Sequence, residues 1–298
     1  MEKILEINNL HKNYGKIKAV QDLSLTVEAG TVFGLLGPNG SGKTTTLGIV
    51  LDVVRKTKGT YSWFGEDPGS ESRKKIGAIL EGPAFYPYLS AEENLKVTAR
   101  IKCVPYDRIE KVLKTVNLHD RKDDKFQSYS LGMKQRLSIA AALLSDPYVL
   151  VLDEPTNGLD PQGIADVREL IVKISGEGKT IILASHLLDE VQKVCTHFAV
   201  LNKGKNVYTG SVDEALSNKE IVEVSAPDRE RLSDLLKECP YVSDFTMHNK
   251  KTMVRMEQHK TAHDLNAFLV SHNLVLSHLV TEKKNLEEQF LEILSQSS

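Results

Sequence analysis

Gly37-Pro38-Asn39-Gly40-Ser41-Gly42-Lys43-Thr44 follows the apolar run Val32–Leu36 and fits the pattern G-x-x-x-x-G-K-[ST]. Glycines let the backbone curl until several N–H groups point inward, and a helix starting at the loop's end adds its positive pole. Lys43 can then reach the β- and γ-phosphates of a bound nucleotide, while the Thr44 hydroxyl can hold Mg²⁺. A glycine-rich turn with an accidental Lys-Thr would match about once in a hundred chains of this length, and less often between a strand and a helix. The segment predicts a site for a nucleoside triphosphate.

A second motif lies downstream. Tyr148–Leu152 is almost wholly apolar and runs into Asp153-Glu154. A carboxylate at such a strand end suits the hydration shell of Mg²⁺, the role expected of Asp153. Glu154, one residue on, is the candidate to polarise an attacking water, a general-base contribution of ~10²–10⁴-fold. Ile76–Leu80 and Thr180–Ala184 are further apolar runs, of the kind parallel strands show when helices cover both faces. Leu5–Leu10 and Leu23–Val27 read as short strands, with turns at Tyr14-Gly15 and Ala29-Gly30. From Ser90 to Asp146 the pattern becomes amphipathic helices, with starts at Ser90 and Ser130. Strands alternating with helices give an α/β core.

The chain has 298 residues, 41% hydrophobic and 26% charged, which excludes disorder or a collagen-like repeat as its main architecture. Its net charge of −2 gives no electrostatic case for nucleic acid as a partner. No apolar run approaches the roughly 20 residues of a membrane span, and the N-terminus lacks a signal peptide's hydrophobic centre. The expected location is cytoplasmic. Cys103, Cys195 and Cys239 lack metal-ligand spacing and are expected as small buried or half-buried side chains.

Between the two motifs lies Tyr129-Ser130-Leu131-Gly132-Met133-Lys134-Gln135-Arg136-Leu137. Ser130 alone is a helix N-cap; together with the glycine loop and Asp153-Glu154 the set resembles the ATP-binding cassette (ABC) ATPases over residues 2 to about 215. The resemblance implies a P-loop NTPase fold with a RecA-like core, an antiparallel β subdomain and a helical subdomain at about 82–147. It makes Ser130, Leu131, Gly132 and Met133 the signature that meets nucleotide on an opposite subunit, although the family's first Gly and its Gln are replaced. Tyr14 would stack on adenine, Gly37 to Thr44 with Thr45 would hold the phosphates, Asp160 would belong to the D-loop, and His186 would contact the γ-phosphate. Where the family has Gln, this chain has Glu81, expected to touch Mg²⁺ and water; that replacement resembles the subgroup handling bacitracin and lantibiotic peptides.

The implied protein is an ATP-hydrolysing subunit that uses ATP and Mg²⁺, forms a homodimer and drives export by a separate transmembrane permease. It would sit peripherally on the cytoplasmic face of the membrane, docking through residues from Glu81 to about Arg100. Phe85, Tyr86 and Tyr88 serve there either as exposed anchors or as core packing. The alternative is a soluble ABC-type ATPase switch not coupled to transport. A GTPase is disfavoured because Asn202-Lys203-Gly204-Lys205 lacks the aspartate that reads guanine. Residues 1–217 are expected as the ATP-binding domain and 218–298 as an accessory domain. In the latter, Ile221–Val224, a helix through Leu232, Leu235 and Leu236, a hairpin of Tyr241–Met247 with Thr252–Glu257, a helix through Leu265, Phe268 and Leu269, and Val275–Thr281 give the order β-α-β-β-α-β. That order predicts a small ferredoxin-like α+β unit. A last amphipathic helix is expected through Leu286, Phe290, Leu291 and Leu294.

Overall fold

The computed structural model describes residues 2–282, apart from 83, 218–220, 249–250 and 258–259. β1 (Lys3–Tyr14) and β2 (Ile17–Glu28) form an antiparallel hairpin turned at Gly15-Lys16. β3 (Val32–Leu36) leads through the glycine loop into α1 (Lys43–Val50), and β4 (Lys58–Trp63) pairs back onto β1. After α2 (Ser70–Lys74) and β5 (Ile76–Ile79) come the helices α3 (Ala91–Ile101), α4 (Asp107–Thr115) and α5 (Leu131–Leu143). Strand and helix then alternate as β6 (Val149–Asp153), α6 (Pro161–Gly176), β7 (Thr180–Ser185), α7 (Leu188–Val194) and β8 (His197–Asn202), with β9 (Lys205–Ser211) as the partner of β8.

Two sheets share one core. The larger has the order β5-β6-β7-β3-β8-β9, parallel except for the antiparallel edge strand β9. Every residue of β3, β6 and β7 is buried, as expected for strands covered on both faces. The smaller sheet is antiparallel, in the order β2-β1-β4. Leu10, Leu23 and Trp63 from the small sheet pack with Leu35, Val149 and Val151 from the large one. Trp63 satisfies its indole N–H by donating to the Val50 carbonyl at 2.7 Å.

The helix starts follow their caps. Ser90 Oγ accepts from the Glu93 amide at 3.2 Å while the Glu93 carboxylate accepts from the Ser90 amide at 2.8 Å, a reciprocal capping box. Ser130 Oγ accepts from the Met133 amide at 3.3 Å. Two expectations need correction, and one strand was not anticipated. The N-terminal strands are longer than Leu5–Leu10 and Leu23–Val27, because residues 11–22 continue the hairpin with only Val20 buried in the core, so no apolar alternation marks them. The strand Lys58–Trp63 carried no sequence expectation at all. Cys103 is exposed, unlike buried Cys195 and Cys239, because it follows the C-cap of α3 in the left-handed conformation that turns the chain outward.

The chain divides into compact units after Ser211 rather than after residue 217. β9 runs straight into α8 (Val212–Ser217) with no linker composition to mark the change, and α8 belongs to the second unit. That unit continues with β10 (Ile221–Ser225), α9 (Arg229–Glu238), β11 (Val242–His248), β12 (Lys251–Met256), α10 (Ala262–Ser271) and β13 (His278–Glu282). Its antiparallel sheet runs β11-β12-β10-β13, the split arrangement in which the first strand lies between the third and fourth. Val222, Val224, Val254 and Met256 of this sheet pack under Leu232, Leu236, Leu265 and Leu269 of the two helices. The strand expected from Val275 begins at His278. The helix expected through Leu286 and Leu294 lies outside the described residues.

Candidate active site

Parallel register gathers the chemistry at one end of the large sheet. Ile79 pairs with Leu152, Asp153 with Ala184, and Leu36 with Ser185, so four neighbouring strands finish level. Their carboxyl ends release Glu81, Asp153-Glu154, His186 and the glycine loop to the same edge, where open α/β sheets place ligands. Gly42, at φ 104°, caps α1; a Cβ there would lie 2.5 Å from the Ala19 carbonyl, so only glycine fits.

Lys43 is 5% exposed and its ammonium donates to the Gly37 carbonyl at 2.7 Å and the Pro38 carbonyl at 3.4 Å. It also stands 3.3 Å from one oxygen of Glu154, whose other oxygen lies 2.7 Å from His186 Nδ1. Glu154 adopts a left-handed backbone (φ 46°) held by donation of its amide to the Ala184 carbonyl at 3.0 Å. Such strain persists where surrounding structure enforces it, and here it aims the side chain away from β6. A proton acceptor is thus suspended between an ammonium and an imidazole, at the wall of an open cavity of about 680 Å³.

Asp153 behaves differently. Burial pushes its carboxyl above the ordinary range, and the nearby charges of Glu154 and Glu81 act in the same direction, against a hydrogen bond from Thr44 and the charge of Lys43. Its Oδ1 is buried with no hydrogen-bond partner among the described residues. An orphaned carboxylate oxygen beside a threonine hydroxyl is the donor set that Mg²⁺ takes together with phosphate oxygens and water. Among the described residues no three His, Cys, Asp or Glu side chains form a metal cage. A cation here would therefore be held jointly by Asp153, Thr44 and its substrate.

The cavity is lined by Tyr14, the loop from Asn39 to Thr45, Glu154 and His186. Tyr14 is 48% exposed, with the Lys12 ammonium 4.5 Å from its ring centre, so one aromatic surface stands at the mouth. Gly37 and Pro38, which precede Asn39, are not among the lining residues. Glu81 is exposed, in a left-handed turn (φ 64°) after β5, and does not line the cavity. Ser130, Leu131, Gly132 and Met133 also stand apart from the cavity, at the N-terminus of α5. There they adjoin the segment after β6: a Cβ on Gly132 would lie 3.6 Å from Gly163, and one on Gly158 3.4 Å from Leu131. Asp160 caps α6, its Oδ1 accepting from the Gly163 amide at 2.9 Å. Of the three aromatics near Glu81, Tyr86 and Tyr88 are exposed while Phe85 packs edge-on against Phe126 at 5.2 Å. Lys16, Lys18, Gln21, Asn157 and Lys203 also line the cavity, and sequence reading did not select them. The one available signal was the charge alternation Lys16–Lys18 after the Tyr14-Gly15 turn.

A family model described as ABC transporter matches residues 20–157. A bacitracin transport ATP-binding protein of Enterococcus faecalis is 34% identical, over 99% of this chain and 97% of its own length. The chain belongs to the ABC transporter ATP-binding family. It is an ATPase subunit of such a transporter, and the residues the family model matches lie within its first unit. A lantibiotic transport ATP-binding protein of Streptococcus pyogenes is 39% identical, over 74% of this chain and 98% of its own length. Among solved structures, cbiO1 of Clostridium perfringens, part of the ABC transporter complex cbiONQ, superposes with a TM-score of 0.67 and 26% identity. It covers 80% of this chain and 97% of that one. Among the described residues no helix of the cassette or of the second unit is long and apolar enough to cross a membrane.

Proposed function

We propose that this subunit works as a pair, closing over two ATP·Mg²⁺ and opening after hydrolysis to drive a separate membrane subunit that exports a peptide antibiotic of the bacitracin or lantibiotic kind. One observation carries the paired arrangement: the signature residues Ser130 and Gly132 are absent from the cavity that holds Lys43, Glu154 and His186. A single copy surrounds a triphosphate on one side only. The exposed N-terminus of α5 from a second copy supplies the missing donors, so two helix N-termini and Lys43 share the charge of the buried phosphates.

Within the site, Tyr14 stacks on the base and Lys43 moves from the loop carbonyls to the β- and γ-phosphates. Glu154 accepts the proton of the attacking water, with His186 fixing its second oxygen and contacting the γ-phosphate. Asp153, Thr44 and, more peripherally, Glu81 would hold Mg²⁺, which would supply charge neutralisation at the phosphate oxygens. Asp160 fixes the turn that presents α6 beside the partner copy. Glu81 and the exposed Tyr86 and Tyr88 face the membrane subunit from the cytoplasmic side, and the likeness to peptide-antibiotic transport proteins supports the cargo class.

Sedimentation velocity with a non-hydrolysable ATP analogue and Mg²⁺ tests the pairing. Wild type is expected to shift from one copy to two, and Ser130→Arg to remain single and lose turnover while keeping single-copy ATP affinity. Ser130→Arg turning over ATP at more than half the wild-type rate would refute it.

A further inference from the structure

The turn joining β8 to β9 brings Lys203 to the cavity lining, and it also touches the phosphate loop. The Gly204 amide donates to the Ser41 carbonyl at 3.0 Å, and Gly204's own carbonyl accepts from the Gln21 amide at 2.7 Å. The Gln21 side chain donates from Nε2 to the Lys203 carbonyl at 2.8 Å. β2 therefore grips two successive carbonyls of the turn, and the turn grips the loop. Sterics tighten the arrangement: at Gly204, with φ 81°, a Cβ would lie 2.8 Å from the Ala19 carbonyl, and one on Gly42 would lie 3.5 Å from the Gly204 Cα.

The consequence falls on Lys203. Its backbone is left-handed (φ 47°), a conformation that a non-glycine residue keeps only where neighbours hold it, here through hydrogen bonds to its own and the next carbonyl. The residue is exposed and lines the nucleotide cavity. Lys43 is committed to the Gly37 and Pro38 carbonyls and to Glu154, whereas the Lys203 ammonium meets no carboxylate at ion-pair distance among the described residues.

We infer that the β8–β9 turn is a working wall of the nucleotide site: Gln21 and Gly204 lock it against the phosphate loop, and Lys203 is a phosphate-directed cation, a specificity residue for polyphosphate. This rests on the cavity's being the ATP site.

Equilibrium binding of AMP, ADP and ATP, with Mg²⁺, to the full chain and its variants tests it. Lys203→Ala is expected to weaken ATP binding about threefold to tenfold, the range of one exposed charge-assisted contact. The loss should shrink from ATP to AMP, fall on KM more than on kcat, steepen with falling salt, and be restored by Lys203→Arg. Gln21→Ala should weaken ATP binding in the same direction and be non-additive with Lys203→Ala. Wild-type ATP binding that is undetectable would overturn the cavity assignment itself. With wild type binding ATP, Lys203→Ala within about twofold of it, or equal losses for AMP and ATP, would overturn the inference about Lys203. Additive losses would detach Gln21 from the turn and overturn the brace.

Discussion

Replacing Glu154 by glutamine separates binding from chemistry at this site. The amide keeps the shape and one oxygen acceptor, so the contacts at 3.3 Å to Lys43 and 2.7 Å to His186 survive as ordinary hydrogen bonds. Two things vanish: a group able to take a proton from water, and the negative charge paired with the Lys43 ammonium. Losing a general base costs ~10²–10⁴-fold, or about 3–5 kcal/mol of barrier at 1.36 kcal/mol per tenfold. Losing the charge acts in the opposite direction on binding, because Lys43 no longer leaves an ion pair to reach the triphosphate. Glu154→Gln is therefore expected to bind ATP at least as tightly as wild type, turn it over at least a hundredfold more slowly, and accumulate paired copies. Phosphate release under saturating ATP, fluorescence titration and sedimentation on the same preparations measure the three quantities. Turnover within about threefold of wild type would show that Glu154 is not the proton acceptor and that the Lys43–Glu154–His186 array serves stability alone.

Two further outcomes concern titratable groups. Burial raises the Asp153 carboxyl above its ordinary value, so the folded protein binds that proton more tightly than the unfolded chain. Stability then falls as pH rises through the window between the ordinary value of 3.8 and the raised one, and the cost persists at neutral pH. Asp153→Asn should raise the nucleotide-free melting temperature and abolish the Mg²⁺ dependence of ATP binding; an unchanged Mg²⁺ dependence in titrations would contradict the assignment. In the second unit, Glu223 accepts from Lys251 at 2.7 Å and from His278 at 2.6 Å, and the Lys251 hydrogen bond, followed by that of His278, holds its carboxyl below the ordinary 4.5. That stabilisation is complete above the unfolded value and is lost as pH falls through the lower folded one. Glu223→Gln should therefore destabilise this unit more at about pH 6 than at about pH 3, as read by urea denaturation followed by circular dichroism. Equal destabilisation at both would assign Glu223 a packing role.

Local pattern made much of this protein legible. The phosphate loop, the apolar strands before Asp153 and before His186, and the caps at Ser90 and Ser130 are all short-range features. Each depends on residues within a few positions of one another, so neighbouring letters suffice to reveal them. The β-α-β-β-α-β order of the second unit was readable for the same reason, through Leu232, Leu235 and Leu236 on one helix and Leu265 and Leu269 on the other. Where local pattern was weak, reading stopped short. Tyr14, Lys16, Ile17, Lys18 and Ala19 line a cavity rather than the core, so alternation is weak there, and the Ser211–Val212 division falls where a strand passes into a helix without a break.

Sequence by itself determined the chemistry on offer: a lysine and threonine on a glycine loop, two acids ending a strand, a histidine ending another. Tertiary structure decided what that chemistry meets. Sheet register brings Glu154 to Lys43 and His186, burial strips Asp153 Oδ1 of partners, and Gln21 reaches the Lys203 carbonyl across 182 positions of chain. The physical reason is range: hydrogen bonding along a helix or around a turn is written in adjacent residues, whereas contacts across a sheet depend on which distant strands the common core forces together.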